Sequence, residues 1–461
     1  METHLFIRKA FTLMLLVLLC SSFSFGQCWK QISPGMNHTL GVKTDGTLWT
    51  WGSNSSGQLG DGTTISKNIP TKIGSDNDWS VVAGGRSHSL AIKTNGTLWA
   101  WGNNFQGQLG NGTNTNSAIP VQIGTATDWS QVSTWESHSL GLKTDGTIWT
   151  WGFNYYGQLG DNTTVNKNTP VKIGADTDWN QISAGWGHCL ALKTNGSLWA
   201  WGNNALGQLG DGYTTNKHIP TQIGTETNWA LVSAGNEHTI ALKKNGTLWA
   251  WGYNTDGQLG DNTDVSHSLP VQIGTENTWT KAEAGSNHNH AIKTDGSLWG
   301  WGLNERGSLG DGTTTSRYVP VQIGTAVDWI HLFDHEQSFG LKTDGSLWAW
   351  GNNGSGQLGD GSNQNKYVPT AINCPGTVGL EDIELSNLKI YPNPTNDIIN
   401  ILVEKDIILN IALFDIQGRM IASDQVNDTH FQIDLSNYKN VIYLLKVTTN
   451  KGSKVLKLFK E

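Results

Sequence analysis

The stretch LWAWGNNFQGQLGNGT, at residues 98–113, recurs almost unchanged along the chain. LWTWGSNSSGQLGDGT occupies residues 48–63 and IWTWGFNYYGQLGDNT occupies residues 148–163, so the spacing is 50 residues. Two tryptophans separated by one residue mark seven such copies, and the last copy comes one residue early, at Trp348 and Trp350. A fixed period of about 20–50 residues is the signature of a repeat architecture, so this stretch decides the fold.

Each copy reads as four short strands. In the second copy, residues 80–83 form a brief β-type run, and residues 87–93 alternate between two faces. Asn95 and Gly96 give a strong hairpin signal before the strand at residues 97–102, and a last strand lies near residues 120–123. Helical periodicity is absent. Seven four-stranded units without covering helices predict an all-β, seven-bladed β-propeller, in which ring closure protects the sheet edges.

The run AGGRSHSLAIKTNGTLWAWGNNFQGQLG, at residues 83–110, resembles the regulator of chromosome condensation repeat family. The resemblance extends over all seven copies, from Trp29 to about Asn373, and implies a seven-bladed propeller over residues 27–374. The seventh copy departs from the pattern, because Phe333–Gln337 replaces the usual Ala-Gly-x-x-His. The geometry of that blade is therefore the least determined by the resemblance.

The first 26 residues differ from the repeats and predict a secretory signal peptide. Arg8 and Lys9 precede an apolar run over Ala10–Cys20, and small residues lead to Gly26, after which we expect cleavage. A lipoprotein site at Cys20 is the alternative, although Leu19 is larger than such sites usually take. No other apolar run has the length of a membrane helix, so the mature chain is expected to lack a transmembrane segment.

After the repeats, residues 375–386 read as a linker and residues 387–461 as a separate domain. Leu388–Thr395, Leu413–Arg419 and Lys454–Lys460 resemble the C-terminal sorting domain of type IX secretion. The resemblance implies a small β-sandwich that is read by the outer-membrane secretion machinery and then removed or exchanged for an anchor. It therefore implies a secreted or surface-displayed protein.

The two cysteines that flank the repeats predict a disulfide bond. Cys28 precedes the first copy and Cys374 follows the last, so closing the ring brings them together. In an oxidising compartment such a bond constrains a loop of hundreds of residues. The alternative is two unrelated thiols beyond bonding distance. Cys189 replaces a Ser or Thr of the repeat and is interpreted as a small buried side chain.

Composition and motifs argue against several functions. The net charge is -8, so the basic surface that nucleic-acid binding requires is missing. No nucleophile, phosphate loop or paired-carboxylate motif stands out, and neither catalysis nor a cofactor is predicted. The repeat histidines are interpreted as structural, and the aspartates after G-Q-L-G as turn caps rather than calcium ligands. The cluster of His331, Asp334, His335 and Glu336 is interpreted as a degenerate turn, so no metal site is predicted.

Two short segments vary between copies: the residues after Trp-Gly and those just before the repeat histidine. Two antiparallel strands separate them, so both are expected on one face of the disc. Constant strands with variable loops on one face are typical of a binding scaffold. The candidate ligand-binding residues are Arg86, Phe105, Trp135, Glu136, Phe153, Tyr155, Tyr156, Trp186, Leu206 and Tyr253. The alternative is that these aromatic side chains only fill space between loops.

These observations favour a non-catalytic recognition module that binds a protein or a glycan. A secreted β-lactamase inhibitor protein with the same repeats makes enzyme inhibition one version of this function. Guanine-nucleotide exchange on a Ran-type GTPase, the activity that names the family, is an alternative that the predicted signal peptide and the acidic charge oppose. A carbohydrate-active propeller enzyme is the other alternative, and it requires a convergent pair of carboxylates.

Overall fold

The computed structural model describes residues 28–375, 388–404, 406–415, 420–449 and 452–461. The chain divides into two compact units, Met1–Cys374 and Pro375–Glu461. The predicted signal peptide and all but the first residue of the predicted linker lie outside the described residues. Among the described residues there is no helix with the length and apolar character that crossing a membrane requires.

The first unit consists of seven four-stranded antiparallel sheets, which confirms the predicted all-β propeller. The strands of blades one to four are β1 (Trp29–Pro34), β2 (His38–Lys43), β3 (Leu48–Gly52), β4 (Lys67–Lys72), β5 (Trp79–Gly84), β6 (His88–Lys93), β7 (Leu98–Gly102), β8 (Ser117–Gln122), β9 (Trp129–Thr134), β10 (His138–Lys143), β11 (Ile148–Gly152), β12 (Lys167–Lys172), β13 (Trp179–Ala184), β14 (His188–Lys193), β15 (Leu198–Gly202) and β16 (Lys217–Gln222). The strands of blades five to seven are β17 (Trp229–Ala234), β18 (His238–Lys243), β19 (Leu248–Gly252), β20 (His267–Gln272), β21 (Trp279–Ala284), β22 (His288–Lys293), β23 (Leu298–Gly302), β24 (Arg317–Gln322), β25 (Trp329–Asp334), β26 (Gln337–Lys342), β27 (Leu347–Gly351) and β28 (Lys366–Ile372).

Every blade is one continuous run of chain, and its strands pair in sequence order. The first strand of each blade is the innermost, and together these seven strands line a central cavity of about 310 Å³. Strand β1 contacts β25, which brings blade one against blade seven. Within the described propeller no strand is shared between blades, so side chains and loops must hold the ring together.

The turn between the second and third strands explains the repeated Asn-Gly or Asp-Gly pair. Gly96 has a φ of 77°, and a Cβ atom there would collide with the carbonyl oxygen of Thr127. The side-chain oxygen of Asn95 accepts hydrogen bonds from the backbone N–H and the hydroxyl of Thr97, at 3.1 and 2.7 Å. Thr97 Oγ1 in turn accepts the indole N–H of Trp99 at 3.0 Å. The hairpin therefore fixes the first tryptophan of the Trp-x-Trp pair.

The second tryptophan of the pair joins neighbouring blades. Trp101 is fully buried, and its indole N–H donates to the backbone oxygen of Gln58 in the preceding blade at 2.8 Å. Six blades make this contact, including blade one, where Trp51 donates to Gln357 at 2.8 Å. The G-Q-L-G segment therefore supplies the acceptor for its neighbour, and this explains why the two motifs repeat together.

The ring closes between blades one and seven through apolar packing, hydrogen bonds and a covalent bond. Trp29, Ile32 and Trp51 pack in one cluster with residues of blade seven such as Phe339 and Leu347. Cys28 and Cys374, the pair expected to close the ring, form a disulfide bond with their Cα atoms 6.1 Å apart. The bond spans 346 residues of sequence, and a crosslink of that span contributes on the order of 5 kcal/mol in the chain-entropy view.

The second unit is all-β in its described residues and has its own core. Its strands are β29 (Leu388–Tyr391), β30 (Ile398–Val403), β31 (Ile408–Phe414), β32 (Met420–Asp428), β33 (His430–Asp434), β34 (Ile442–Thr449) and β35 (Gly452–Phe459). They form two sheets, ordered β29-β30-β33 and β32-β31-β34-β35. Buried residues from both sheets, among them Ile401, Leu413 and Leu445, share one cluster. This arrangement has the layers of a small β-sandwich.

Candidate functional site

The two variable segments of each blade meet at one face of the propeller, which we call the loop face. Strands two and three of a blade pair from the repeat histidine to the glycine of Trp-Gly, as His138 and Gly152 do. Directly beyond this pair, the backbone N–H of Phe153 donates to the oxygen of Ser137 at 2.9 Å. Six blades have the equivalent bond, so the two segments act as a single surface.

A buried asparagine separates the variable positions from the constant ones in the longer segment. Asn104 Oδ1 accepts the N–H of Leu109 at 2.9 Å, and its Nδ2 donates to the backbone oxygens of Thr113 and Thr115 at 3.0 and 3.1 Å. These bonds hold the loop closed from within. Residues on either side of the asparagine are therefore free to vary without loss of the loop conformation.

The shorter segments form a belt of backbone hydrogen bonds around one end of the central cavity. Each bond runs from the backbone N–H of the third residue of the Ala-Gly-x-x pattern to the same segment of the next blade. The donor and acceptor pairs are Met36 and Gly85, Arg86 and Glu136, Trp186 and Gly235, Asn236 and Ser286, and Ser286 and His335, at 2.7–3.3 Å. This belt makes the inner part of the loop face rigid.

Four aromatic side chains on the loop face form a continuous group, which we call the aromatic ridge: Phe153, Tyr155, Tyr156 and Trp186. Neighbouring ring centroids lie 5.1–6.4 Å apart, within the range of favourable aromatic contacts. The side chain of Tyr155 is 68 % exposed, while the other three are half-buried. The ridge therefore joins blades three and four and presents aromatic surface to solvent.

The other predicted residues are spread around the ridge. Phe105 is 69 % exposed in blade two, whereas Leu206 and Tyr253 are half-buried in blades four and five. Arg86 forms an ion pair with Glu136, and this pair links blades two and three beside the belt. None of these residues has a ring contact with the ridge among those that the structure describes.

Trp135 does not lie on the exposed surface that the sequence analysis assigned to it. It is 7 % exposed, and its ring stacks on His335 of blade seven with the centroids 4.1 Å apart and the planes at 15°. Both residues line the central cavity at its loop-face end. The Trp135–His335 stack thus bridges blades on opposite sides of the ring. Trp186 packs against the buried cluster that contains Trp135, which connects the ridge to this stack.

Acidic residues that the sequence analysis did not select lie in the variable segments of blades five and six. Burial raises the pKa of Glu237. Burial and the carboxylate of Glu305 raise the pKa of Asp256, whose Oδ2 accepts a hydrogen bond from Asn287 at 3.3 Å. The loop face therefore has an aromatic side in blades two to four and an acidic side in blades five and six.

The repeat histidines are buried and hydrogen-bond to the next blade. His38 Nε2 lies 3.0 Å from Ser89 Oγ, and His188 Nε2 lies 3.2 Å from Thr239 Oγ1. Burial lowers the pKa of His38, His88 and His188 to about 3, and that of His138 and His238 to about 4. These side chains are neutral links between blades, as the sequence analysis proposed.

A second polar group lies on the cavity wall between blades six and seven. His290 Nδ1 contacts both carboxylate oxygens of Asp334, at 3.0 and 3.1 Å, and both side chains are completely buried. Glu283 lines the same cavity and accepts the hydroxyl of Ser233 at 3.1 Å. Burial, together with the negative charge of Asp334, raises the pKa of Glu283 to about 8. Asp334 thus ends a strand and faces His290, and it is not part of a degenerate turn.

His290 was missed at the level of sequence because it occupies a position where an apolar side chain fits the alternation. The other six blades have Leu40, Leu90, Leu140, Leu190, Ile240 and Phe339 there. Aligning the seven copies with one another would have revealed His290, since only this copy has an imidazole in place of the apolar side chain.

Family models match almost the entire described chain. The model of the RCC1-like domain matches residues 17–332, which is more than half of the sequence, and that of the regulator of chromosome condensation (RCC1) repeat matches residues 344–384. The chain belongs to the RCC1-like domain family. The model of the secretion system C-terminal sorting domain matches residues 389–461 of this RCC1-like protein. The protein is therefore directed to type IX secretion and is secreted or displayed at the cell surface.

Solved structures give the same fold for the RCC1-like propeller. Human WBSCR16 superposes with a TM-score of 0.65 at 23 % identity, covering 71 % of this chain and 94 % of WBSCR16. Yeast RCC1 (Prp20), solved with Kap60, has a TM-score of 0.63 at 20 % identity, covering 80 % and 88 % of the two chains. Prp20p from Saccharomyces cerevisiae, in a separate structure, has a TM-score of 0.63 at 21 % identity, covering 79 % and 90 %. At these identities the likeness concerns the fold alone. No curated protein matches the sequence significantly.

Proposed function

We propose that this protein is a non-catalytic recognition propeller that binds a protein or a glycan through its loop face. The observation that carries the proposal is the aromatic ridge, a continuous group of rings on variable loops above a constant framework. The sorting domain places the propeller outside the cell, where such a surface meets ligands of the surroundings or of the cell envelope.

The composition of the ridge supports binding. Tyrosine and tryptophan contribute more than other residues to binding hot spots, because they bury large apolar area and lose little conformational freedom. The belt of backbone hydrogen bonds next to Trp186 lowers this entropic cost further, since the loops are already ordered. The acidic side of the loop face adds a preference for ligands with a basic or hydroxyl-rich edge.

The central cavity offers little support for a carbohydrate-active enzyme. Glu283 and Asp334 are the carboxylates that approach one another there, yet the side chain of Asp334 is fully buried and hydrogen-bonded to His290. The Trp135–His335 stack lies at the loop-face end of the same cavity. A buried carboxylate that already faces His290 is poorly suited to act on a sugar ring.

Replacing Tyr155 by alanine should weaken ligand binding by about 2 kcal/mol, or roughly 30-fold, because the most exposed ring of the ridge is removed. A glycan array and a pull-down from cell-envelope proteins would identify the ligand class, and titration calorimetry would then give the affinity. The matched control is Tyr213→Ala. Tyr213 is 66 % exposed but has no ring contact with the ridge among the described residues, and its loss should leave the affinity unchanged. Equal effects of the two variants, or none at Tyr155, would contradict the proposed role of the ridge.

Deleting residues 387–461 should leave a folded propeller that fails to cross the outer membrane. The deleted residues have their own core, and the propeller closes on itself without them. Fractionation of cells followed by immunodetection would locate the truncated protein, and its unfolding midpoint should match that of the full chain. Appearance of the truncated protein in the medium at the normal level would show that another route exports it.

A further inference from the structure

The seven copies can be aligned with one another within this single chain. Blade six and the first strand of blade seven differ from the other copies at several positions whose side chains lie close together. His290 replaces the apolar residue of the other blades, as described above. Glu283 stands where the other copies have Ser33, Ala83, Ser133, Ser183, Ser233 and Phe333. At the start of blade seven, Asp334 stands where the other copies have Pro34, Gly84, Thr134, Ala184, Ala234 and Ala284. Three groups able to bind metal ions or accept protons are thus unique to this part of the ring.

A fourth departure makes room for the imidazole. Gly300 pairs with His290 across the two strands, whereas the other copies have alanine or threonine at this position. A Cβ atom on Gly300 would lie 3.0 Å from Cδ2 and 3.1 Å from Nε2 of His290, closer than ordinary packing allows. The small residue and the histidine therefore occur together for a steric reason.

The nitrogen and oxygen atoms of this group have the spacing of a metal site. His290 Nδ1 lies 3.0 Å from Asp334 Oδ2, and His288 Nε2 lies 3.9 Å from Asp334 Oδ1. One atom from each of the three residues falls within 4.8 Å of the others. Tetrahedral zinc with bonds of about 2.1 Å separates its ligand atoms by roughly 3.4 Å, which lies between the two distances.

We propose that His288, His290 and Asp334 bind one divalent transition-metal ion of the zinc class. Two imidazoles and a carboxylate are a ligand set that zinc accepts, and three protein ligands leave a further position for water. Glu283 and Asp334 line the same cavity, so Glu283 is a candidate partner for this water. The ion would link blades six and seven.

The surroundings of His290 suit coordination through Nδ1. Its Nε2 lies 3.2 Å from the backbone oxygen of Leu309, to which an Nε2–H group would donate, and 3.4 Å from the indole nitrogen of Trp350, whose longer hydrogen bond is lost in that tautomer. Histidines that bind metal through one nitrogen almost always donate the other N–H to a carbonyl or carboxylate, which fixes the tautomer. The carbonyl of Leu309 is therefore the partner that a metal-bound His290 requires.

Metal binding costs His288 one neutral hydrogen bond. His288 Nε2 lies 3.0 Å from Ser338 Oγ, as the other repeat histidines lie near the next blade. Ser338 Oγ also donates to the backbone oxygen of Ser308 at 3.2 Å, so the hydroxyl keeps a partner when the imidazole turns to the ion. Without a bound ion, the buried His290–Asp334 pair is not expected to stabilise the fold more than the apolar side chain of the other six blades does. Buried ion pairs are often no more stabilising than well-packed apolar residues.

Titration of the untagged full chain with Zn²⁺ after removal of metal should show one saturable site per chain by calorimetry. Co²⁺ should bind the same site and give the visible absorption of a low-symmetry, four- or five-coordinate ion. His290→Leu restores the apolar residue of the repeat and should lower the affinity by more than about 100-fold, beyond the 10–100-fold typical of losing a ligand's hydrogen-bond partner. The double variant His290→Leu/Gly300→Ala restores both repeat residues, so it should stay folded while binding no zinc.

Two control variants separate this site from other zinc ligands. Cys189 Sγ lies 3.3 Å from His138 Nε2, and Cys189→Ser, which introduces the serine of other copies, should leave zinc binding intact. His331→Ala removes an exposed histidine three residues before Asp334 in the same strand and should also leave zinc binding intact. Zinc should raise the unfolding temperature of the parent chain and of both controls, but not that of Asp334→Ala. The absence of saturable binding, or binding that survives His290→Leu or disappears in Cys189→Ser, would overturn the proposal.

Discussion

Lowering the pH from 7 to 5 is expected to destabilise the propeller by roughly 2 kcal/mol for each of five repeat histidines, or up to roughly 10 kcal/mol in total. The five are His38, His88, His138, His188 and His238, whose pKa values burial lowers from 6.5 to about 3 or 4. Unfolded chains take up these protons near pH 6.5, whereas the folded protein does not. The stabilisation from these histidines is therefore complete well above pH 6.5 and is lost as the pH falls from 6.5 towards their folded-state pKa values of about 4 and 3.

Denaturant unfolding at pH 7, 6 and 5 would measure this loss, since a total of this size is comparable with the stability of many whole domains. The matched variant is His188→Gln, because blade seven already has Gln337 at this position. Gln337 Nε2 donates to the backbone oxygen of Gly35 at 3.0 Å and lies 3.4 Å from Thr39 Oγ1, so glutamine keeps the link between blades. The variant should reduce the loss of stability between pH 7 and 5 by about 2 kcal/mol, or about 1 kcal/mol per pH unit. A stability that stays constant between pH 7 and 5 would contradict the role given to these histidines.

Replacing Trp151 by alanine should cost about 3–5 kcal/mol of folding free energy. Its side chain is fully buried, and it packs with residues of blade two in one cluster. Its indole N–H donates to the backbone oxygen of Gln108 at 2.8 Å, so the substitution removes both packing and a bond between blades. Denaturant unfolding followed by tryptophan fluorescence and circular dichroism would measure the change.

Tyr155→Ala is the control for this substitution within the same blade. The ring of Tyr155 is exposed, and its removal should change the folding free energy by less than about 0.5 kcal/mol. A Trp151→Ala variant as stable as the Tyr155→Ala variant would show that the repeat tryptophans do not hold the blades together. The two variants therefore separate the framework of the propeller from its loop face.

The fold was predictable because the sequence repeats, whereas the contacts between distant copies were not predictable from the sequence. The seven Trp-x-Trp-Gly pairs, the turns and the four strands per blade follow from local patterns, and the loop pairing at Phe153 and Ser137 follows from strand order. Trp135 and His335 are 200 positions apart and meet because the ring brings blades three and seven to a common cavity. No local pattern contains that contact, so Trp135 was expected on the surface.

The polar group between blades six and seven escaped prediction for a related reason. His290 fits the strand alternation in size and position, and Asp334 belongs to a segment that had lost the repeat pattern. Their contact depends on the register of two different blades, which only the folded ring determines. The aromatic ridge was easier to anticipate, because its members lie in neighbouring copies and share one face.

The closure of the ring between blades one and seven affects how well the folded protein resists unfolding and proteolysis outside the cell. An array of self-contained repeats loses structure most readily from its ends, where a repeat has a neighbour on one side only. The bond between Cys28 and Cys374 leaves the array without free ends, so the first opening must begin at an internal junction. A protease that cuts one exposed loop then produces two fragments that remain covalently joined and packed against each other. Thiols stay reduced in the cytoplasm, so the chain gains this resistance only in the oxidising surroundings outside it.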